Sequence, residues 1–361
     1  MGLLNNLKIL DFSTLLPGPF ATLMLADLGA EVLHVQRPTE EKLTSMENYL
    51  NRSKKSIALN LKDETSIEKL KELVKEYDIV LEQFRPGVMD RLGLGYEQLK
   101  KINPRVIYCS LTGFGQTGPY RDRPGHDINY VSIAGLASYS GTERDGPANV
   151  GTQIADIAGG SLHAAIGILS AFIYRERTGE GQSLDISMTD CSMSLNAIAA
   201  APYLVDGEKP APEKMLLNGG TFYGYFKTKD DRYVSVGSLE PKFRILLCEG
   251  LGRTDLIELS MSQKPNDIAD FKQAVKESFL NKTFKEWNEI FGEIEACVEP
   301  VLTLEEVMHH PHSMEREMFV DVPDLQNGFQ KQIACPIKSS VFTPEYKHIG
   351  LRAGANNREF F

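Results

Sequence analysis

The stretch GHDINYVSIAG, residues 125–135, sets His126, one of only seven histidines, between a glycine and an aspartate directly after a loop rich in Gly and Pro. An imidazole titrates closer to neutrality than any other unperturbed side chain, so His126 is a candidate for moving a proton. A turn histidine can equally bond to nearby backbone, or hold a metal. The tract HHPH, His309 to His312, lacks the i,i+4 spacing of a helical zinc pair and has no cysteine nearby, so no metal site is expected. His163 lies in an apolar helical stretch and reads as a packed core residue, while Asp11 and Asp27 read as strand-end and helix-end residues.

Basic residues recur after predicted strands: Arg37 in HVQRP, then Arg52, Lys54, Lys55 and Lys62 in NRSKKSIALNLK, and Arg85 and Arg91 in EQFRPGVMDRLGLGY. Together they suit a ligand bearing several phosphates, although each alone could be a solvated surface charge. A dinucleotide fold would carry GxGxxG between its first strand and helix. The chain has LLPGPF there, and Pro17 and Pro19 remove backbone donors that phosphate oxygens would need. GFGQTG, Gly113 to Gly118, has the glycine spacing but runs into Pro119 rather than a helix, and reads as a rigid loop. Arg37 would favour a phosphorylated ribose, which motivates an NADP-dependent oxidoreductase as an alternative, but the proline-bearing first turn opposes it.

The elements that must hold these residues alternate. LKILDF, PFATLMLADLG, EVLHVQ, SIEKLKELVKEYD, IVLEQF and RVIYCSLT predict βαβ units and a parallel sheet, helical periodicity spans about 159–177, and GQSLDIS follows as a strand. AAAPYLVDGEKPAPEK reads as a connector, YFKTKDDRYVSVGS as a hairpin leading into helices, and the tail after Arg316 as irregular. The predicted organisation is a large α/β domain over 1–187 and 330–361, a linker over 188–219, a smaller α+β domain over 220–316 and a linker over 317–329.

The 361 residues exceed what one core usually supports, and the composition, 42% apolar and 24% charged, is that of an ordinary globular protein. A net charge of −10 argues against general binding to nucleic acid or anionic membrane. Five cysteines with no CxxC pair suit a reducing compartment. The sequence starts without a secretory leader, and its longest apolar run, from Leu162, meets charge after about a dozen residues, too short to cross a bilayer. A cytoplasmic location is expected.

LLPGPFATLMLADLGAEVLHVQRP, EQFRPGVMDRLGLGY, SLTGFGQTGPY, GHDINY and ADIAGGSLHAAIGILSAFIYRERTGEGQSLDISMTD, in this order, resemble the class III CoA-transferase superfamily (CaiB/BaiF type), and GHDINY resembles its α-methylacyl-CoA racemase branch. The likeness returns in YVSVGSLEPKF and ACVEPVL. It implies a large Rossmann-like parallel-sheet domain built from both chain ends and a smaller domain, joined by long linkers in an interlocked homodimer. The acyl-CoA site would lie between large and small domains of different subunits.

By the same resemblance, Arg37, Leu59, Asn60, Leu61, Lys62, Gln83, Phe84, Arg85 and Arg91 would hold CoA. Gly125, Asp127, Ile128, Asn129 and Tyr130 would line the thioester end. His126 and Asp156 would be the two acid–base groups inverting the α-carbon, and Glu240 an acid close to the histidine that orients the imidazole. Without the resemblance, Asp156 reads as a helix N-cap and Glu240 as a helix-start acid before Pro241. No cofactor or metal is implied, since the CoA thioester is the substrate. CoA transfer between carboxylic acids, with Asp156 as nucleophile, is the alternative reaction. An acyl-CoA-binding protein without turnover is a third reading.

Overall fold

The computed structural model describes residues 2–361. Contacts divide the chain into two units, one formed by Met1–Leu136, Val150–Asn196 and Pro311–Phe361, the other by Ala137–Asn149 and Ala197–His310.

The first unit is built on six parallel strands, β1 (Lys8–Asp11), β2 (Glu31–Gln36), β3 (Lys55–Ala58), β4 (Ile79–Glu82), β5 (Ile107–Thr112) and β6 (Gln182–Ser187), in the order β3-β2-β1-β4-β5-β6. β4 and β5 are buried along their whole length, as parallel strands covered on both faces must be. Alternate residues feed two cores: Ile9, Ile79, Leu81, Ile107 and Cys109 on one face, Leu10, Leu33, Val80 and Tyr108 on the other. The order reverses between β1 and β4. Open α/β sheets bind ligands outside the carboxyl ends of the strands at such a point.

Two late segments complete this unit. Asn356 and Asn357 accept from the Ser56 and Ala58 amides at 2.9 and 2.8 Å, covering the free edge of β3. Arg52 is buried, donates to Asp27 Oδ1 at 2.9 Å and to the Ile333 carbonyl at 2.7 Å, and so ties the late chain to the first helix, Pro17–Asp27.

The second unit holds an antiparallel sheet of β7 (Gly224–Lys227), β8 (Tyr233–Val236) and β9 (Val298–Pro300). Helices Pro241–Gly250, Pro265–Phe279 and Phe284–Phe291 bury Leu247, Phe271, Phe279 and Trp287 with Phe226 and Val234. Its hairpin falls where the sequence predicts one.

Three expectations differ from the structure. The tail after Arg316 contains a hairpin, β10 (Phe319–Asp324) with β11 (Gly328–Ile333), so strand β10 fills much of the segment read as the 317–329 linker. Residues 188–219 form two helices, Met188–Ser194 and Ala197–Asp206, before the chain loses regular structure. The third difference is helix length. A π-helical segment, Ala155–Ser161, runs without a break into the helix Leu162–Thr178, giving 24 residues long and apolar enough to cross a membrane by length and composition. Ala164, Ile168 and Ala171 of this helix are buried in the core beside Ile107 and Leu111 of β5.

Candidate active site

Beyond the carboxyl end of β5 the chain needs a tight excursion before it can start a helix. Gly115 and Gly118 supply left-handed backbone with φ of 81° and 84°, and the loop closes over aromatic contacts of Phe114 with Tyr120 and Tyr130 at 5.4 and 5.2 Å. GFGQTG is therefore a loop, as its sequence predicts.

GHDINY divides its labour residue by residue. The Tyr130 hydroxyl donates to the Gly125 carbonyl at 2.5 Å, and a Cβ on Gly125 would lie 2.7 Å from the Tyr130 ring. The His126 amide donates to Asn129 Oδ1 at 3.0 Å, so Asn129 closes the start of the helix Asp127–Ile133. Asp127 Oδ1 accepts from the Ala155 and Asp156 amides at 2.6 and 3.0 Å. His126 and Ile128 stay exposed, while Tyr130 is buried. Tyr130, Asn129 and Asp127 are thus engaged in holding the loop, and His126 is exposed at its helix start.

Asp156 sits in the first turn of the π-helical segment and is not its N-cap, which is Ile154. π-helical turns are rare and recur at functional sites. Here the Ser161 hydroxyl lies 3.0 Å from the Asp156 carbonyl and 2.6 Å from the Pro17 carbonyl, joining this turn to the first helix at the sheet's switch point. Gly159 and Gly160 allow the close approach of the Met188–Ser194 helix, through Ser192 and Met188. His163 is half-buried, with Nδ1 2.8 Å from the Ala158 carbonyl.

Burial pushes the Asp156 carboxyl up to about 6, the neighbouring Asp127 charge pushes the same way, and His126 opposes both. His126 and Asp156 are therefore within electrostatic reach of each other. Glu240 lies in the second unit, exposed, at the N-cap of Pro241–Gly250 with no side-chain cap bond.

The CoA candidates follow the carboxyl ends of β2, β3 and β4. Arg37, Lys62 and Arg85 are exposed, as is Arg91 at the end of the short helix Val88–Arg91. Leu59 is buried; Leu61 and Phe84 pack partly against the second core; Asn60 accepts from the Lys62 amide at 3.1 Å. Gln83 Oε1 accepts from Gly18 at 3.0 Å across the switch point, which takes the one amide that LLPGPF leaves between its prolines. Arg52 and Lys54, read as part of a phosphate-binding cluster, are internal: Arg52 pairs with Asp27 and Lys54 with Asp11 at 3.5 Å. The two cations balance the charge of carboxylates buried in β1 and the first helix, where Asp11 also accepts from the Ser13 amide at 2.9 Å and from the Thr22 hydroxyl.

Sequence reading missed Glu82. It lines a cavity of about 230 Å³ with Arg85, Tyr108, Ser110, Gln116 and Asp185, and burial pushes its carboxyl up to about 7. Only the apolar flank IVLEQF hinted that this acid is inside.

A family profile described as CoA-transferase family III matches residues 4–349, and the chain belongs to that family. Its relatives include proteins named as racemases and proteins named as CoA-transferases. The human alpha-methylacyl-CoA racemase is 40% identical over 88% of this chain and 82% of its own length, and the mouse racemase is 38% identical over the same shares. The human succinyl-CoA:glutarate CoA-transferase is 33% identical over 88% of this chain and 76% of its own. Among solved structures, a CAIB/BAIF family protein from Brucella suis superimposes with a TM-score of 0.85 at 28% identity, covering 100% of both chains.

Proposed function

We propose that this member of CoA-transferase family III is an α-methylacyl-CoA racemase, interconverting (R)- and (S)-2-methylacyl-CoA. The observation that carries the reading is that Asp156, whose carboxyl is raised to about 6 by burial, lies at the start of a helix beside the switch point and within electrostatic reach of the exposed His126. The likeness to two mammalian racemases supports it.

The chemistry asks for one proton and two faces. A neutral His126 takes the α-proton, the C–H electron pair moves into the thioester to give an enolate, and protonated Asp156 returns a proton to the opposite face. The reverse inversion exchanges the roles. A carboxyl titrating near neutrality can hold the proton in one direction and accept it in the other, and each positioned transfer contributes roughly 10²- to 10⁴-fold. Arg37, Lys62, Arg85 and Arg91 are proposed to meet the CoA phosphates, with Leu59, Asn60, Leu61, Gln83 and Phe84 beside them. Residues 125–130 are proposed to frame the thioester, with the Asp127 carboxylate turned to the Ala155 and Asp156 amides. Glu240 is proposed to orient the imidazole in an assembled homodimer. No cofactor enters this scheme.

The test is incubation of a single-enantiomer 2-methylacyl-CoA in deuterated water without a second acid. The opposite enantiomer carrying deuterium is expected, and His126→Ala abolishes it. Absence of exchange together with CoA movement to an added free acid makes Asp156 the nucleophile of a CoA-transferase, the reading that the transferase relatives favour.

A further inference from the structure

We propose that Asp127 is the positioning residue of this site: its carboxylate, clamped on the amides of Ala155 and Asp156, fixes the π-helical turn that carries Asp156 and keeps a proton available there. The inference rests on the acid–base reading of His126 and Asp156. It gives Asp127 a role toward another side chain in place of contact with the thioester.

A helix start leaves amide donors unpaired, and an acid in its first turn ordinarily gains from them in its ionised form. Here the two nearest donors, including the Asp156 amide itself, are already taken by Asp127 Oδ1 at 2.6 and 3.0 Å. Asp156 thus sits half-buried at a helix start where the Ala155 and Asp156 amides are occupied, next to a second carboxylate. Both effects disfavour its anion, in agreement with the upward shift of its carboxyl.

The same two bonds are mechanical. They join the residue after His126 to the backbone of the residue that bears the second acid–base group. Other charges near the carboxyl are few. The Asp127–Ile133 helix and its cap present His126, Asp127 and the Tyr130 hydroxyl, which is itself pushed up to about 12 by burial and by these two acids. The Met188–Ser194 helix presents the uncharged Met188 and Ser192 to Gly159 and Gly160, the first helix presents the Pro17 carbonyl to Ser161, and His163 is engaged with Ala158. Asp127 is the acid in this group that touches the Asp156 backbone.

Two variants of the full chain separate charge from clamp. Asp127→Asn keeps an oxygen that can accept from both amides but removes the charge. The carboxyl titration of Asp156, followed by ¹³C NMR of aspartate-labelled protein and assigned with Asp156→Asn, should move down by about one pH unit, a tenfold fall in proton affinity. Asp127→Ala removes the clamp as well, and α-proton exchange should fall about 10- to 100-fold with KM changed less than about twofold, since misplacement of a reacting group acts on the chemical step. An unchanged Asp156 midpoint in Asp127→Asn, or exchange at the wild-type rate in Asp127→Ala, overturns the proposal. If Asp127→Ala fails to fold, the Asp127→Asn titration decides. That titration needs no turnover, so it judges Asp127 even where deuterium exchange fails and the racemase reading falls.

Discussion

Glu82 shows how one buried carboxyl ties stability to pH. It closes β4, accepts from the Phe84 amide at 2.8 Å, and lies near Asp90 and Asp185, so burial and like charge raise it from an ordinary 4.5 to about 7. The folded state then binds this proton more tightly than the unfolded chain does. Its contribution is fully present below about pH 4.5 and is lost as pH rises through about 7. Glu82→Gln should remove that dependence, leaving the variant more stable than wild type at pH 8 relative to pH 5, by on the order of 1–3 kcal/mol. Urea unfolding at the two pH values measures it, and parallel curves for both proteins would show that Glu82 is already ionised in the fold. Tyr108 lines the same cavity.

Among the elements, the π-helical turn depends on how closely another helix docks. A Cβ on Gly159 would stand 2.9 Å from the Met188 carbonyl and 2.6 Å from Ser192 Oγ, and the carbonyl belongs to a helix that cannot yield locally. Gly167, further along the same helix, would meet only methyl groups of Ile186 and Leu184 at 3.4 and 3.5 Å. Gly159→Ala should therefore destabilise by about 1–3 kcal/mol through overpacking. Gly167→Ala should be neutral or gain up to about 1 kcal/mol from helix propensity. Thermal unfolding of the pair is the measurement, and equal Tm values would mean that the turn tolerates a shift of the Met188–Ser194 helix. The alternation of strands and helices in the first 187 residues was legible because apolar periods of 2 and 3.6 are local. The β10–β11 hairpin was not. Pro323 and the run QNGFQKQ, in which Phe329 is exposed while Gln332 is buried against Arg52, give it no apolar stripe, and its pairing becomes evident only in the folded chain.

For the whole molecule, the proposed homodimer would explain an otherwise costly surface. Leu162, Ile166 and Ile173 lie along one stripe of the long helix and are exposed by 40, 61 and 53%. A second copy covering that stripe is the expected occupant. Sedimentation should give a dimer, and Ile166→Asp should shift it toward monomer; a monomeric wild-type chain would oppose the assembly and with it the role given to Glu240.

What the sequence by itself determined is the set of motifs and their order. GHDINY and ADIAGG name the histidine and the aspartate, and short apolar runs separated by helical patterns prescribe a parallel sheet, because these signals depend on neighbouring residues alone. Burial and pairing were decided by tertiary structure. Arg52 and Lys54 read as solvent-facing charge in NRSKKS, yet they lie inside against Asp27 and Asp11, since a carboxylate closed into the core draws in whichever cation the fold brings near it. In the same way, nothing in the spacing of residues 127 and 156 announces that one carboxylate grips the backbone of the other. Only folding closes sequence separations of 28 and 29 residues into hydrogen bonds from Ala155 and Asp156 to Asp127.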